Sequence, residues 1–130
     1  MSDATVDQHL PRPPAGSEPG AAVQAWMTLP DVAEQLAVDV VHVRQLLREH
    51  RLVALRRDGV LLVPSLLVQQ GQVVKGLSGV LTLLFDARYS DEETVDWLYR
   101  PDDSLPGRPV DALVENRGTE VRRRAQALGF

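Results

Sequence analysis

The sequence predicts a mainly α-helical protein carrying one β-hairpin, and three observations predict it. Two amphipathic stretches, 29–36 and 40–50, each follow a capping residue, Thr28 and Asp39, with a very short turn between them. An Asp58-Gly59 pair then stands between two β-prone runs, 52–57 and 60–63, and Asp-Gly is the strongest short-range hairpin signal because a type I′ turn needs positive φ at both central residues. Beyond the hairpin the apolar spacing turns helical again, with a capping box at Ser90 and Glu93.

The elements follow in order. Residues 1–25 hold Pro11, Pro13, Pro14, Gly16, Pro19 and Gly20 with scarcely any large apolar residue. Such a segment buries too little surface to offset its ordering entropy, so a disordered tail is expected, with net charge −2 from Asp3, Asp7 and Glu18 against Arg12. The first helix opens at Thr28. Its hydroxyl is placed to accept from the Asp31 amide, Pro30 falls in the first turn where a missing N–H costs nothing, and Asp31 complements the helix dipole. Leu29, Val32, Ala33 and Leu36 share one face, and Met27 with Val32 suits a hydrophobic staple. Ala37 and Val38 turn the chain. Asp39 caps a second helix whose buried stripe is Val40, Val43, Leu46 and Leu47, leaving Val41, His42, Arg44, Gln45 and Arg48 outward. The hairpin follows, and Pro64 is expected to stop its second strand. Helix, turn, helix, hairpin is the order of a winged helix-turn-helix, here expected over residues 26–68.

Residues 69–130 are expected to form a helical segment packed on that unit. A short helix or loop covers 65–72, a core helix 77–88, a capped helix 90–99 with Val95, Leu98 and Tyr99 or Trp97 inward, and a Pro/Gly loop 100–108. Two closing helices, 109–116 and 119–128, are separated by Gly118. Of the 130 residues 44% are hydrophobic and only 5% aromatic, so Leu and Val must build the core. There is no cysteine, which removes disulfides and thiolate metal sites and fits a reducing compartment. The acidic N-terminus does not read as a signal peptide, and no apolar run is long enough to cross a membrane. A cytoplasmic, nucleoid-associated protein is expected.

The functional signal is electrostatic. Arg44, Arg48, Arg51, Arg56 and Arg57 lie on the second helix and hairpin with one opposing acid between them, Glu49, although the formal net charge is −4. A basic face on an acidic chain is invisible in the overall pI. The ratio of 13 Arg to one Lys carries no weight by itself, because GC-rich coding produces it too; placement does. In a winged helix the second helix enters the major groove and the hairpin reaches neighbouring backbone or the minor groove. His42, Arg44, Gln45 and Arg48 would then meet base edges and phosphates, Arg and Gln being matched to guanine and adenine. Arg56 and Arg57 at the wing tip, with Arg51 between, would hold the backbone. Double-stranded DNA is the expected partner.

The run 28–63 resembles excisionase and MerR-type winged helices. A closer resemblance rests on Leu29, Pro30, Val32, Ala33, Glu34 and Leu36, on Gly71 to Lys75 with Leu77, on Trp97 and Leu98, on Arg108 to Leu113, and on Glu120 to Ala127. These runs are similar to a small actinobacterial family of winged helix-turn-helix DNA-binding regulators with a flexible N-terminal tail of kinase-substrate type. The resemblance implies a winged-helix DNA binder with a flexible N-terminal tail and no enzymatic activity, and a transcriptional regulator is the expected function. Two features depart from the comparison. Ala37 stands where such turns often carry Gly, at a cost of roughly 1 kcal/mol if φ is positive, which raises the expectation of a different turn. The long dimerising coiled coil of MerR regulators is absent, so the oligomeric state stays open.

Other chemistry is not indicated. The stretch 71–78 has glycines spaced like a phosphate loop, but Leu77 stands where the phosphate-binding Lys belongs. His9, His42 and His50 lack ligand partners at zinc spacing, and Glu92, Glu93 and Asp96 suit a helix start better than a catalytic pair. No cofactor, metal or catalytic residue is expected. Arg122, Arg123 and Arg124 in the closing helix read either as dipole-favoured charges or as a second backbone or partner contact. Thr5, between Asp3 and Asp7, is a candidate phosphorylation site for a Ser/Thr protein kinase, and added negative charge there would repel DNA or occupy the arginine face. The alternative to a DNA-binding regulator is a protein-interaction module with antitoxin-like C-terminal helices.

Overall fold

The computed structural model describes residues 18–129. Among them six α-helices accompany five short strands. The mainly helical class with a β wing is therefore as the sequence predicts, with one strand more in the wing sheet than expected.

The first departure comes at the start. Residues 18–25, assigned above to the tail, are packed: Val23 is buried, its N–H bonds the Gly20 carbonyl at 2.9 Å, and the Gly20 N–H donates to Asp96 Oδ1 at 3.0 Å. Composition hides this because a single apolar anchor holds the segment. Strand β1, Trp26–Thr28, follows immediately. Three residues are too few to show a period-2 pattern, which is why the sequence reading missed the strand.

Helix α1, Leu29–Leu36, has the expected cap: Thr28 Oγ1 accepts from the Asp31 amide at 3.2 Å. Ala37 takes the left-handed conformation at φ 58° and ψ 44°. Its N–H reaches the Glu34 carbonyl at 3.2 Å and that of Val38 the Ala33 carbonyl at 3.0 Å, a Schellman closure. The expectation of a different turn is thus corrected. The tight left-handed turn is kept with a residue that costs ~1 kcal/mol there. Helix α2, Val40–Arg48, starts at Asp39, whose Oδ1 accepts from the His42 amide at 3.0 Å. Val43 and Leu46 are buried against the core, with Val40 and Leu47 half-buried beside them.

The wing is β2, Leu55–Arg57, and β3, Val60–Pro64, joined through Asp58 at φ 52° and Gly59 at φ 82°. Both positive values match the type I′ turn read from the sequence. Strand β3 is central, in the order β1-β3-β2, with Leu62 opposite both Thr28 and Leu55. Leu52, Val53 and Ala54 are buried but lie outside the ladder. Pro64 explains this. The Ser65 N–H donates to Ala25 on the β1 side at 2.9 Å, so position 64 faces β2, where proline has no N–H to extend the pairing.

A 3-10 turn, Ser65–Leu67, leads into a two-stranded hairpin of β4, Val68–Gln69, and β5, Gln72–Val73. Helices α3 (Leu77–Asp86), α4 (Asp91–Tyr99), α5 (Pro109–Val114) and α6 (Gly118–Ala127) complete the described chain. The Ser90 capping box is formed in both directions, at 2.8 and 3.1 Å. Leu77, Val80 and Leu84 of α3, Val95 and Leu98 of α4, Val110 of α5 and Val121 of α6 are fully buried and join Val32, Val43 and Val63 in one cluster. That shared core fixes the winged unit on the helical segment and holds α2 with its polar side turned away.

Candidate nucleic-acid interface

With about 100° per residue, the buried positions Val43 and Leu46 set the direction opposite to the exposed face of α2. Gln45 and Arg48 fall near the middle of that face, with Arg44 on one flank and His42 on the other. All four are exposed, as is Arg51 just beyond the helix. Val41 lies between Gln45 and Arg48 on the same face and is 69% exposed.

Charge on this surface is nearly uncompensated. Among the described residues Arg44, Arg48 and Arg56 have no acidic partner within 4.0 Å. Glu49, the one acid between Arg44 and Arg57 in sequence, accepts from Gln45 Nε2 at 2.9 Å and lies 3.9 Å from the Arg51 guanidinium, while exposed Asp39 and Asp58 stand at the start of α2 and at the wing tip. Its charge is shared by two members of the face, and five arginines against three acids leave residues 39–59 with a formal charge of +2. A bond to Glu49 also restrains the Gln45 amide while leaving its carbonyl oxygen and second N–H without a partner among the described residues.

The wing arginines separate. Arg56 is exposed and its Nη1 donates to the Gly59 carbonyl at 2.9 Å, which holds the guanidinium at the tip. Arg57, on the opposite face of the strand, stacks over Trp26 at 4.7 Å from the ring centre and donates to the Pro19 carbonyl at 3.2 Å. The sequence reading paired the two as equivalent. It missed Trp26 and the packed segment 18–20, which lie beside the wing only in three dimensions. Gly20 is required in that corner: at φ +80° a Cβ would stand 2.8 Å from the Trp26 ring.

Three arginines of the C-terminal half, Arg108, Arg117 and Arg124, are held internally, while Arg88 and Arg100 are exposed. Arg108 binds Asp111 through two contacts of 2.8 Å and lies over the Tyr99 ring at 5.2 Å. Its guanidinium keeps the Asp111 carboxyl below the usual carboxylate range. Burial pushes the Tyr99 hydroxyl up to about 12. Arg117 bonds Glu115 at 2.8 Å and the Leu105 carbonyl at 3.1 Å, and Arg124 bonds Ser104 Oγ at 2.7 Å. Of the closing triplet, Arg122 and Arg123 are exposed. His50, at the end of α2, is stacked on Phe85 with ring centres 3.8 Å apart. Among the described residues no three His, Asp or Glu side chains could hold a metal ion, and no helix is long and apolar enough to cross a membrane. Thr5 lies outside the described residues.

A capped helix-turn-helix whose second helix presents polar side chains, followed by a type I′ hairpin in a three-stranded sheet, defines a winged helix-turn-helix protein. Comparison with known proteins makes this specific. Residues 20–68 match the family described as "DNA-binding protein Rv2175c, wHTH domain", and residues 74–129 match the "Rv2175c C-terminal domain of unknown function". The DNA-binding protein Rv2175c of Mycobacterium tuberculosis is 43% identical over 90% of this chain and 89% of its own length. The NMR structure of Rv2175c superposes with a TM-score of 0.75 at 39% identity, covering 92% of this chain and 99% of that one. The chain belongs to the Rv2175c family of winged helix-turn-helix proteins.

Proposed function

We propose that this protein binds double-stranded DNA as a transcriptional regulator, with α2 as recognition helix and the arginine-bearing hairpin as wing. The observation that carries the reading is the exposed face of α2, where Arg44 and Arg48 have no acidic partner among the described residues. The family supports it, since the Mycobacterium tuberculosis relative is named for DNA binding. Gln45, Arg48 and Arg44 read base edges, His42 touches the groove wall, and Arg51 and Arg56 hold phosphates. Arg57 acts at one remove by fixing the wing against Trp26. Phosphates provide affinity without sequence information, so selectivity falls to α2. Negative charge added at Thr5 by a Ser/Thr kinase would weaken this grip by competing for the same arginines.

Enrichment of genomic fragments by the full chain, followed by a footprint on one enriched fragment, tests the reading. A protected site that disappears with Arg44→Ala and Arg48→Ala supports it. Retention of a protein partner by those variants, with no protected DNA, would instead favour the protein-interaction role for the C-terminal helices. For the tail, duplex affinity of Thr5→Glu equal to the parent at low salt would remove phosphorylation from the account.

A further inference from the structure

We propose that Val41 reads the C5-methyl group of a thymine in the major groove and is the apolar specificity determinant of the recognition helix. The inference rests on α2 being the groove-facing helix and names what one further residue of it recognises.

Five large hydrophobic side chains are substantially exposed among the described residues, and Val41, at 69%, is the most exposed of them. It belongs neither to the buried cluster nor to the half-buried residues packed on it. Its position separates it from an ordinary stray surface valine. Val41 is the second residue of α2, in the turn that winged helices bring closest to base edges. Spacings of three, four and seven residues place Arg44, Gln45 and Arg48 around it on the same face. Folding alone would be served nearly as well by a polar residue here, since the side chain is mostly exposed and does not pack on the core. A β-branched side chain in a helix keeps essentially one χ1 rotamer, so its two methyl groups project in a fixed direction.

In the major groove the thymine methyl is the one apolar feature of the base edges, and apolar side chains contact it. A cationic and amide rim around a single apolar spot is complementary to that pattern. Gln45, one turn further along, is held by Glu49 at 2.9 Å, and its carbonyl oxygen and remaining N–H have no partner among the described residues, the pair that adenine N6 and N7 require. One helical turn rises about 5.4 Å and one base pair about 3.4 Å. The thymine read by Val41 therefore lies one or two base pairs from the adenine read by Gln45.

The test uses the full chain and a duplex selected from a random pool, with affinity measured by fluorescence anisotropy. Each thymine in the site is replaced in turn by deoxyuridine, which removes the methyl and preserves pairing. One replacement should weaken the parent by about three- to tenfold, the effect of losing one buried methyl contact. Val41→Ala, a favourable helix residue at an exposed position, should lose a similar factor and be indifferent to that same replacement. Equal sensitivity of parent and Val41→Ala to every replacement overturns the inference while leaving DNA binding intact. A Val41→Ala variant that changes the sedimentation coefficient overturns it too, by assigning Val41 to a contact between copies. Absence of binding to any duplex overturns the proposed function and this inference together.

Discussion

The α2 and wing surface and the corner built around the 100–108 loop use the same side chain in opposite ways. On α2 and the wing, Arg44, Arg48 and Arg56 extend into solvent without acidic partners among the described residues. In the C-terminal half, Arg108 and Arg117 are clamped by Asp111, Glu115 and Glu120, and Arg124 by Ser104. The same half also carries exposed Arg88, Arg100, Arg122 and Arg123, so the contrast lies between the paired arginines of this corner and the unpaired ones of α2 and the wing. An arginine without a carboxylate keeps its donors free for an outside anion; one that the fold pairs commits them to structure.

The sharpest way to break this comparison is to remove the unpaired pair. Arg44→Ala with Arg48→Ala should reduce affinity for a selected site by about 100-fold, since each base-edge contact is worth roughly 1–3 kcal/mol, with the urea midpoint unchanged. A fall in the midpoint instead would move these residues into the structural class. The wing provides the next contrast. Arg56→Ala should lower the salt slope by about 0.9, the value of one phosphate contact. Arg57→Ala should leave the slope nearly intact and reduce stability by roughly 0.5–1 kcal/mol through the lost stack on Trp26.

A clamped arginine should show the reverse behaviour. Arg108→Ala should leave duplex affinity unchanged and cost about 1 kcal/mol in urea unfolding, the scale of a partly exposed ion pair with good geometry. The same pair has a pH signature. Asp111 is held below its ordinary pKa, chiefly by the Arg108 hydrogen bonds. Its contribution is complete above the unfolded value of about 3.9 and is lost as pH falls through the lower folded value. Asp111→Asn should flatten that acid limb, and an unchanged limb would place the stabilisation elsewhere. The smallest effect belongs to the turn that orients α2. Ala37→Gly relieves the left-handed strain at φ 58° but adds backbone entropy, so thermal unfolding should rise by only about 0.5 kcal/mol.

How much of this was legible beforehand follows from the range of each interaction. Caps at Thr28, Asp39 and Ser90 and the Asp58-Gly59 turn depend on residues within three or four positions, and each forms as read. The outward side chains of α2 follow from helical period alone. Apart from the β4–β5 hairpin, whose two-residue strands are too short to show alternation, what escaped depends on contacts distant in sequence. Strand β1 exists because Met27 pairs with Val63, the segment at 18–25 is held by Asp96, and Arg57 is tied to Pro19 and Trp26. The difference between Arg56 and Arg57 was half-visible, since adjacent strand residues point to opposite faces; what occupied the second face was not. Likewise Val41 was legible as outward, but its separation from the core cluster and the residues packed on it required the packed structure.

The most direct test of the central claim follows individual guanidinium groups by NMR while a mixed-sequence duplex is added to the full chain at ~50 mM salt. The Nε–H signals of Arg44, Arg48 and Arg56 should shift with added DNA and return at high salt, while those of Arg108 and Arg117 stay in place. Shifts confined to Arg108 and Arg117, or no shift at all, would contradict the account.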